Sequence, residues 1–315
     1  MPSSAVRTFS DPDDYAASIR GGTVEMTVVG RGDFSAKLTR IQLHRLWMQR
    51  FSENLPRVVE AATRKERAYI SFRRQPGPDL LQAGVEIEPS AVLKHGQSHE
   101  YYQRSSGPIS LGTMSLPVED IASFGEALAG IDLTTPRDSM SSTPAGAAMA
   151  KLRRLHAAAG RLAEDAPEII AHPEAARGLE QALIEAMVGC LAQGESRESS
   201  SAQGQHAIVM RRFRRVVEEN PEQPLYIPEI CKAIRVSQRT LRMCCQEHLG
   251  MSPKRYLLLR RMHLARRALR QAAPDAASVT DIATGYGFWQ LGSFAVEYQA
   301  LFGETPSATL RRQYG

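Results

Sequence analysis

Between residues 23 and 115 apolar side chains recur at every second position. The clearest runs are 23–29, then Phe34, Ala36 and Leu38, then Ile41 and Leu43, then Ala68, Ile70 and Phe72. A period of two puts alternate side chains on one face of a strand, so these segments read as half-buried β-strands. The alternation changes phase between Leu38 and Ile41, as a β-bulge would cause. Turns are marked by Gly30-Arg31-Gly32 and Gln75-Pro76-Gly77-Pro78, and strands of this number and spacing close into a barrel or a sandwich. Residues 117–130 read as one short helix, with Pro117 in the first turn and Gly130 at the end.

The period then changes. Ala148, Leu152, Leu155, Ala159 and Leu162 alternate spacings of four and three, and so do Ala176, Leu179, Leu183, Ala186 and Cys190. Each run is about two heptads of an a/d seam, which fits either a dimerising pair of helices or an internal helical hairpin. Residues 195–206 are polar, rich in Ser, Gly and Gln, and without apolar period, and so read as a flexible linker.

Beyond the linker the chain is a succession of capped helices. Residues 207–219 carry Val209, Met210, Phe213, Val216 and Val217 on one side and four arginines largely on the other. A helix over 227–234 is followed by the tight connector Arg235-Val236. Ser237 then caps a helix over 238–249, whose Leu241, Cys245 and Leu249 share a face. Ser252-Pro253 opens a long helix to about 271, with Leu258, Met262, Ala265 and Leu269 as its buried stripe. Ser278 and Asp281 form a capping box, Gly287 ends that short helix, and a last long helix over 291–302 turns Phe294, Tyr298, Leu301 and Phe302 inward. The pattern helix, short turn, helix thus occurs twice.

Charge sharpens this division. From Gln205 onward there are 17 Lys/Arg against 9 Asp/Glu, a net of +8, whereas residues 1–204 carry 22 against 25, a net of −3. The last third is therefore the part suited to a polyanion. The four cysteines (Cys190, Cys231, Cys244, Cys245) make no metal-ligand spacing and read as small buried apolar side chains. No charged-then-apolar leader and no apolar run near 18 residues occurs, which points to a cytoplasmic protein with no membrane span.

In a helix-turn-helix unit the second helix enters the major groove, and its exposed face reads base edges. On the helix over 238–249 that face is Gln238, Arg239, Arg242, Met243 and Gln246, opposite the apolar stripe. Arginine bonds guanine O6 and N7 as a fork, and glutamine bonds adenine N6 and N7. The second reader would offer Gln290, Leu291 and Ser293 from the start of the last long helix. The 20 residues from Ser252 to Gln271 span about 30 Å, close to the ~34 Å pitch of B-DNA.

Taken in order, 236–241 (Val-Ser-Gln-Arg-Thr-Leu), 250–256 (Gly-Met-Ser-Pro-Lys-Arg-Tyr) and 281–288 (Asp-Ile-Ala-Thr-Gly-Tyr-Gly-Phe), with Ser293, Phe294, Tyr298, Phe302-Gly303 and Pro306, resemble the DNA-binding domain of the AraC/XylS regulators over about 207–312. The chain departs from that family at Val296, where relatives often carry a basic residue, and at Met243, commonly polar or basic. The run 287–298 looks like the subset that includes ethanolamine-operon regulators. The resemblance implies a transcription regulator, usually an activator, that binds double-stranded DNA and recruits RNA polymerase, with a small-molecule effector and a homodimer expected.

The fold class expected is α+β and multidomain. A β-rich barrel or sandwich-like sensor domain (1–140) and a helical dimerisation segment (144–194) would precede the linker (195–206), and an all-α domain with two helix-turn-helix units (207–315) would follow. No effector-binding residue is identified, and no cofactor or metal is expected. The rival is a cupin-like enzyme fused to a DNA-binding tail. The strand region offers His44, His95 and His99 for a metal, without the close His-x-His pair and later Glu of such sites. A repair enzyme is disfavoured because no cysteine precedes Cys190.

Overall fold

A computed structural model describes residues 1–96, 100–136, 139–197, 201–220, 223–273 and 277–312, with the side chains of 195–197 and 201–203 left out of the description. The β-rich part runs β1 (Ser3–Phe9), α1 (Pro12–Ser18), β2 (Gly22–Val28), β3 (Ala36–Gln42), β4 (Trp47–Glu53), β5 (Arg57–Thr63), β6 (Arg67–Arg73), β7 (Leu80–Gln82), β8 (Val85–Glu86), β9 (Val92–Lys94), β10 (Glu100–Ser105), β11 (Ile109–Pro117) and α2 (Val118–Ala129). It continues with β12 (Met140–Thr143), α3 (Gly146–Asp165), α4 (Pro167–Ala171), α5 (Pro173–Ala192) and β13 (Glu195–Arg197). The helical part is α6 (Ser201–Glu218), α7 (Ile227–Ile234), α8 (Gln238–Leu249), α9 (Pro253–Gln271), α10 (Val279–Gly285), α11 (Leu291–Phe302) and α12 (Pro306–Arg311).

Two antiparallel sheets face each other. One has the order β1-β3-β4-β11-β6-β9-β12-β13 and the other β2-β5-β10-β7-β8. Phe9, Met26, Ala36, Leu38, Phe51, Val59, Ala61 and Leu111 fill the space between them. On the outer face of the larger sheet Ile41, Met48, Ile70, Phe72, Met114 and Leu116 pack on α2, α3, α4 and α5. On the outer face of the smaller sheet Val58 and Tyr102 share a core with α6, α7, α8 and the start of α9. Both sheets are buried on both sides, and the helical part forms the last layer.

This layering corrects three expectations. There is no bulge between Leu38 and Ile41: β3 pairs without interruption with β1 and β4. The phase changes because Leu38 fills the space between the sheets and Ile41 fills the helical layer. Secondly, the heptad seam is internal. Leu152, Ala159, Ala176, Leu183 and Cys190 are fully buried against the larger sheet, so α3 and α5 form the hairpin alternative. Thirdly, 195–206 is not all linker. β13 adds to β12 at its start, and α6 already runs from Ser201, with His206 Nδ1 and Glu247 Oε2 2.6 Å apart. In 195–197 and from Ser201 on, backbone pairing and docking onto α8 build regular structure where composition alone favours coil.

Candidate nucleic-acid interface

The first helix-turn-helix is built from local signals. Arg235 ends α7 in the left-handed region (φ 57°), and the Ser237 side chain accepts from the Thr240 N–H at 3.0 Å to start α8. Helix α8 then divides cleanly. Leu241, Cys244, Cys245, His248 and Leu249 are buried, while Gln238, Arg239, Arg242, Met243 and Gln246 are all exposed. The exposed face is the one expected to read bases, and it points away from the sheet on which α8 docks. The buried side includes Cys244, as its residue type suggests, and also His248, which a stripe of period four misses.

The second unit has α10 capped by the Ser278–Asp281 box and α11 closed by Gly303 at φ 73°. Gln290 precedes α11 without a side-chain cap; Gln290, Leu291 and Ser293 are exposed, and Ser293 Oγ lies 3.5 Å from Gln290 Oε1. Val296 is exposed on the same helix, and so is Trp289 just before it, which the pattern of caps and stripes does not single out. The two helices thus differ in their exposed faces: α8 offers guanidinium and amide donors, α11 mostly apolar surface.

The basic residues of α9 do not form one phosphate-facing row. Lys254 and Arg255 near its start are exposed. Arg261 lies over the Phe288 ring, 5.1 Å from its centroid, and ties α9 to the second unit. Towards the C-terminal end Arg266, Arg267 and Arg270 turn to α1. Arg266 Nη1 donates to Asp11 Oδ2, Arg267 Nη2 to Asp13 Oδ1 at 2.6 Å, and Arg270 Nη2 to Asp14 Oδ2 at 2.9 Å. Asp11 also accepts the N–H groups of Asp13 and Asp14, at 2.9 and 3.0 Å, and so caps α1. Burial acts to raise the Asp11 carboxyl, but Arg266, the Asp14 N–H and Arg270 outweigh it and hold it below the usual carboxylate range. A cap followed by Pro12 is a local signal for α1; its partners on α9 are not readable locally, being some 255 positions away.

A second contact joins the same two parts. Glu60, on the outer face of β5, is fully buried and accepts from the Tyr256 O–H at the start of α9, with Arg214 Nε at 3.5 Å from its other oxygen. Glu218 competes for Arg214, at 2.6 Å. Burial and the facing Glu25 push the Glu60 carboxyl up to about 8, against the pull of Arg214 and Arg260. Nearby, Gly250 ends α8 at φ 71° where a Cβ would stand 2.8 Å from Arg104 Nη1, so glycine there permits both the left-handed cap and the close approach of β10.

These groups predict a pH dependence. A carboxyl raised in the folded state contributes stability that is complete below its ordinary value and lost as pH rises through about 8. His248 and His263, held down to about 4 by burial, do the reverse: their contribution is present above 6.5 and lost as pH falls through about 4. His156, also depressed by burial, acts in the same direction. Between pH 6.5 and 8 Glu60 therefore dominates, and the melting temperature should fall by a few degrees across that window. Glu60→Gln should flatten the slope; an unchanged slope in differential scanning calorimetry would show that Glu60 is not its source.

The four cysteines are buried and unpaired with one another; burial pushes the Cys190 and Cys244 thiols up to about 11. Thiols so protected suit packing and not redox chemistry. His95 Nε2 lies 2.9 Å from Ser71 Oγ and His44 Nε2 3.2 Å from the Pro173 carbonyl, while His99 lies outside the described residues. Among the described residues no group of three His, Cys, Asp or Glu could hold a metal ion, and no helix is long and apolar enough to cross a membrane.

A pair of facing β-sheets followed by a helical part with two helix-turn-helix units defines an α+β chain carrying a helix-turn-helix module. Residues 230–312 match the family model described as a helix-turn-helix domain. The chain is 40% identical over 95 residues to the probable thc operon regulatory protein of Rhodococcus erythropolis, which is 30% of this chain and 29% of that protein. It is 37% identical over 103 residues to the XylDLEGF operon transcriptional activator of Pseudomonas putida, 32% of each. The chain thus spans less than a third of the length of these relatives. Among solved structures, the AraC-like transcriptional activator CuxR aligns over 82% of this chain and 90% of its own, with a TM-score of 0.41 and 16% identity.

Proposed function

We propose that the chain is a sequence-specific, double-stranded-DNA-binding transcription regulator of the AraC/XylS type, acting in the cytoplasm as an effector-responsive activator. The observation that carries this reading is the division of α8: a buried face docked on the protein and an exposed face of Gln238, Arg239, Arg242, Met243 and Gln246. Such donors at the start of the second helix of a helix-turn-helix are what guanine and adenine edges bond. Helix α9, 19 residues or about 28 Å long, supports placing α8 and α11 in successive major grooves. Gln290, Leu291 and Ser293 would then position the second unit, with thymine methyls as partners of Leu291 and Val296.

The matched P. putida relative is named a transcriptional activator, which supports RNA polymerase as a partner. The run 287–298 favours a place near the ethanolamine-operon regulators. A homodimer belongs to the same proposal, through a surface other than the buried α3–α5 seam. Responsiveness to an effector is supported by β5 and β10, whose side chains alternate between two environments. Val59, Ala61, Tyr101 and Gln103 line a cavity between the sheets, while Val58, Glu60 and Tyr102 touch the helical part. A ligand that shifts these strands shifts the surface on which α8 and α9 rest.

The test is binding of the full chain to duplexes selected from a random library, read by anisotropy. Log affinity should fall linearly with log salt, by about 0.9 for each phosphate neutralised. Arg242→Ala should cost about 1–3 kcal/mol and relax preference at one base position, and Ser293→Ala should cost less. A flat salt response overturns the reading, and a larger loss of specificity from Ser293→Ala reverses the assignment of the readers.

A further inference from the structure

The cavity between the sheets has a free volume of about 110 Å³. That is somewhat smaller than an apolar cavity of about 150 Å³ known to take up benzene, so it suits a ring of roughly six non-hydrogen atoms with at most a small substituent. The size class is therefore that of one small ring.

Its two buried charges are already paired with each other. Arg57 and Glu53 are buried in its wall, with Arg57 Nε donating to Glu53 Oε2 at 2.9 Å. Tyr15 O–H donates to the other oxygen of Glu53 at 2.8 Å, and Arg57 Nη2 donates to Gln103 Oε1 at 2.7 Å. A ligand carboxylate could take Arg57 only by stripping Glu53, leaving a buried carboxylate without its cation, and a ligand cation would strip Arg57 in the same way. Either exchange is strongly unfavourable for side chains as deeply buried as these two. The third charged side chain at the cavity, Arg20, is exposed, and its Nη1 donates outward to Gln42 Oε1 at 2.9 Å.

One polar group on the wall lacks a partner. The Tyr69 hydroxyl is buried and finds no hydrogen bond among the described residues, and its residue is only 7% exposed. Burial raises its ionisation above the ordinary phenol range, so it stays protonated and is a donor in search of an acceptor. Room for its ring is left by Gly21, at φ 123°, where a Cβ would stand 2.8 Å from Tyr69 Cε1. Met26 and Val59 line the cavity from the facing sheet, and Phe51 and Leu111 line it from the same sheet as Tyr69.

We propose that this cavity binds a small uncharged ring compound bearing one oxygen, with the ring against Met26, Phe51 and Leu111 and the oxygen accepting from Tyr69. The proposal rests on reading the β-rich part as the effector domain, and it excludes carboxylates and amines as ligands.

Isothermal titration calorimetry of the full chain with phenol, benzoate and benzylamine tests it, since the three share a ring and differ in charge. Phenol should bind and raise the melting temperature, while benzoate and benzylamine at equal concentration should not. Tyr69→Phe should weaken phenol binding by on the order of tenfold through loss of one hydrogen bond to a buried group, and Thr113→Val on the same wall should not. Benzoate binding as tightly as phenol, no phenol binding at millimolar concentration, or a Tyr69→Phe variant that binds phenol unchanged would each overturn it. The comparison of the three probes, with benzyl alcohol as the uncharged match in size for benzylamine, decides the charge class on the unaltered chain even if Tyr69→Phe fails to fold. No readout involves DNA, so a negative result here leaves the DNA-binding reading intact, and a failure of DNA binding leaves this result readable.

Discussion

Changing Asp11, Asp13 and Asp14 together to Asn is expected to loosen the helical part from the sheets while leaving both folded. Asparagine caps a helix about as well as aspartate, so α1 should persist and only the charge is removed. Arg266 is 7% exposed and would lose its nearest carboxylate, keeping Glu304 at 3.6 Å and the Phe302 ring. Breaking a buried pair from one side typically costs about 3–5 kcal/mol, and the half-exposed Arg267 pair adds less because solvent screens it. Proteolysis between the two parts should therefore accelerate by at least tenfold. Arg266, Arg267 and Arg270 would become free to meet phosphate, so DNA affinity at low salt should rise and its salt slope steepen. If proteolysis accelerates while the salt slope stays the same, these arginines serve docking alone.

The pair Leu152→Glu and Leu183→Glu should prevent folding instead of splitting a dimer. Both leucines are fully buried beneath the larger sheet in an apolar cluster, and each substitution would place a carboxylate among those side chains. Unpaired buried charge is among the few causes of losses beyond about 4–5 kcal/mol from one substitution. Circular dichroism should show loss of a cooperative melt at all concentrations. Ile169→Glu, on the exposed side of α4, is the control and should melt like the unaltered chain. A folded, monomeric double variant would instead mean that the seam lies between copies.

The helical part is largely legible in the amino-acid sequence because its signals are local. Ser237, Ser252 and Ser278 each cap the helix that follows, through a bond to a backbone N–H three residues on. The bounds of α7, α8 and α11 agree with those that caps and apolar spacing predict. The exposed face of α8 is legible for the same reason: a helix of known register leaves one side for water once Leu241, Cys245 and Leu249 turn inward.

The β-rich part is legible only as strands. Alternation shows that a strand has two faces, and cannot say that both are buried or against what. Leu38 and Ile41 stand out of phase in the sequence because their sheet lies between two cores. A 4-3 repeat in α3 and α5 is equally satisfied by a second copy or by the chain's own sheet, and nothing within the helix distinguishes them. Strand β1 escapes the pattern: it exists through its pairing with β3 some 35 positions on.

What the amino-acid sequence determined by itself is what neighbours along the chain can settle: helix starts and stops, the apolar stripe of each helix, the donors on the exposed face of α8, and the basic balance of the last third. What only the tertiary structure decided is which partner each long-range group meets. Whether Arg266 faces phosphate or Asp11, whether Glu60 is a solvated carboxylate or one held under Tyr256, and whether Arg57 is available to a ligand depend on residues that can lie tens to hundreds of positions away. A guanidinium carries the same charge in all these settings, so its role is fixed by burial and partner geometry, which exist only once the sheets have closed and the helical part has docked on them.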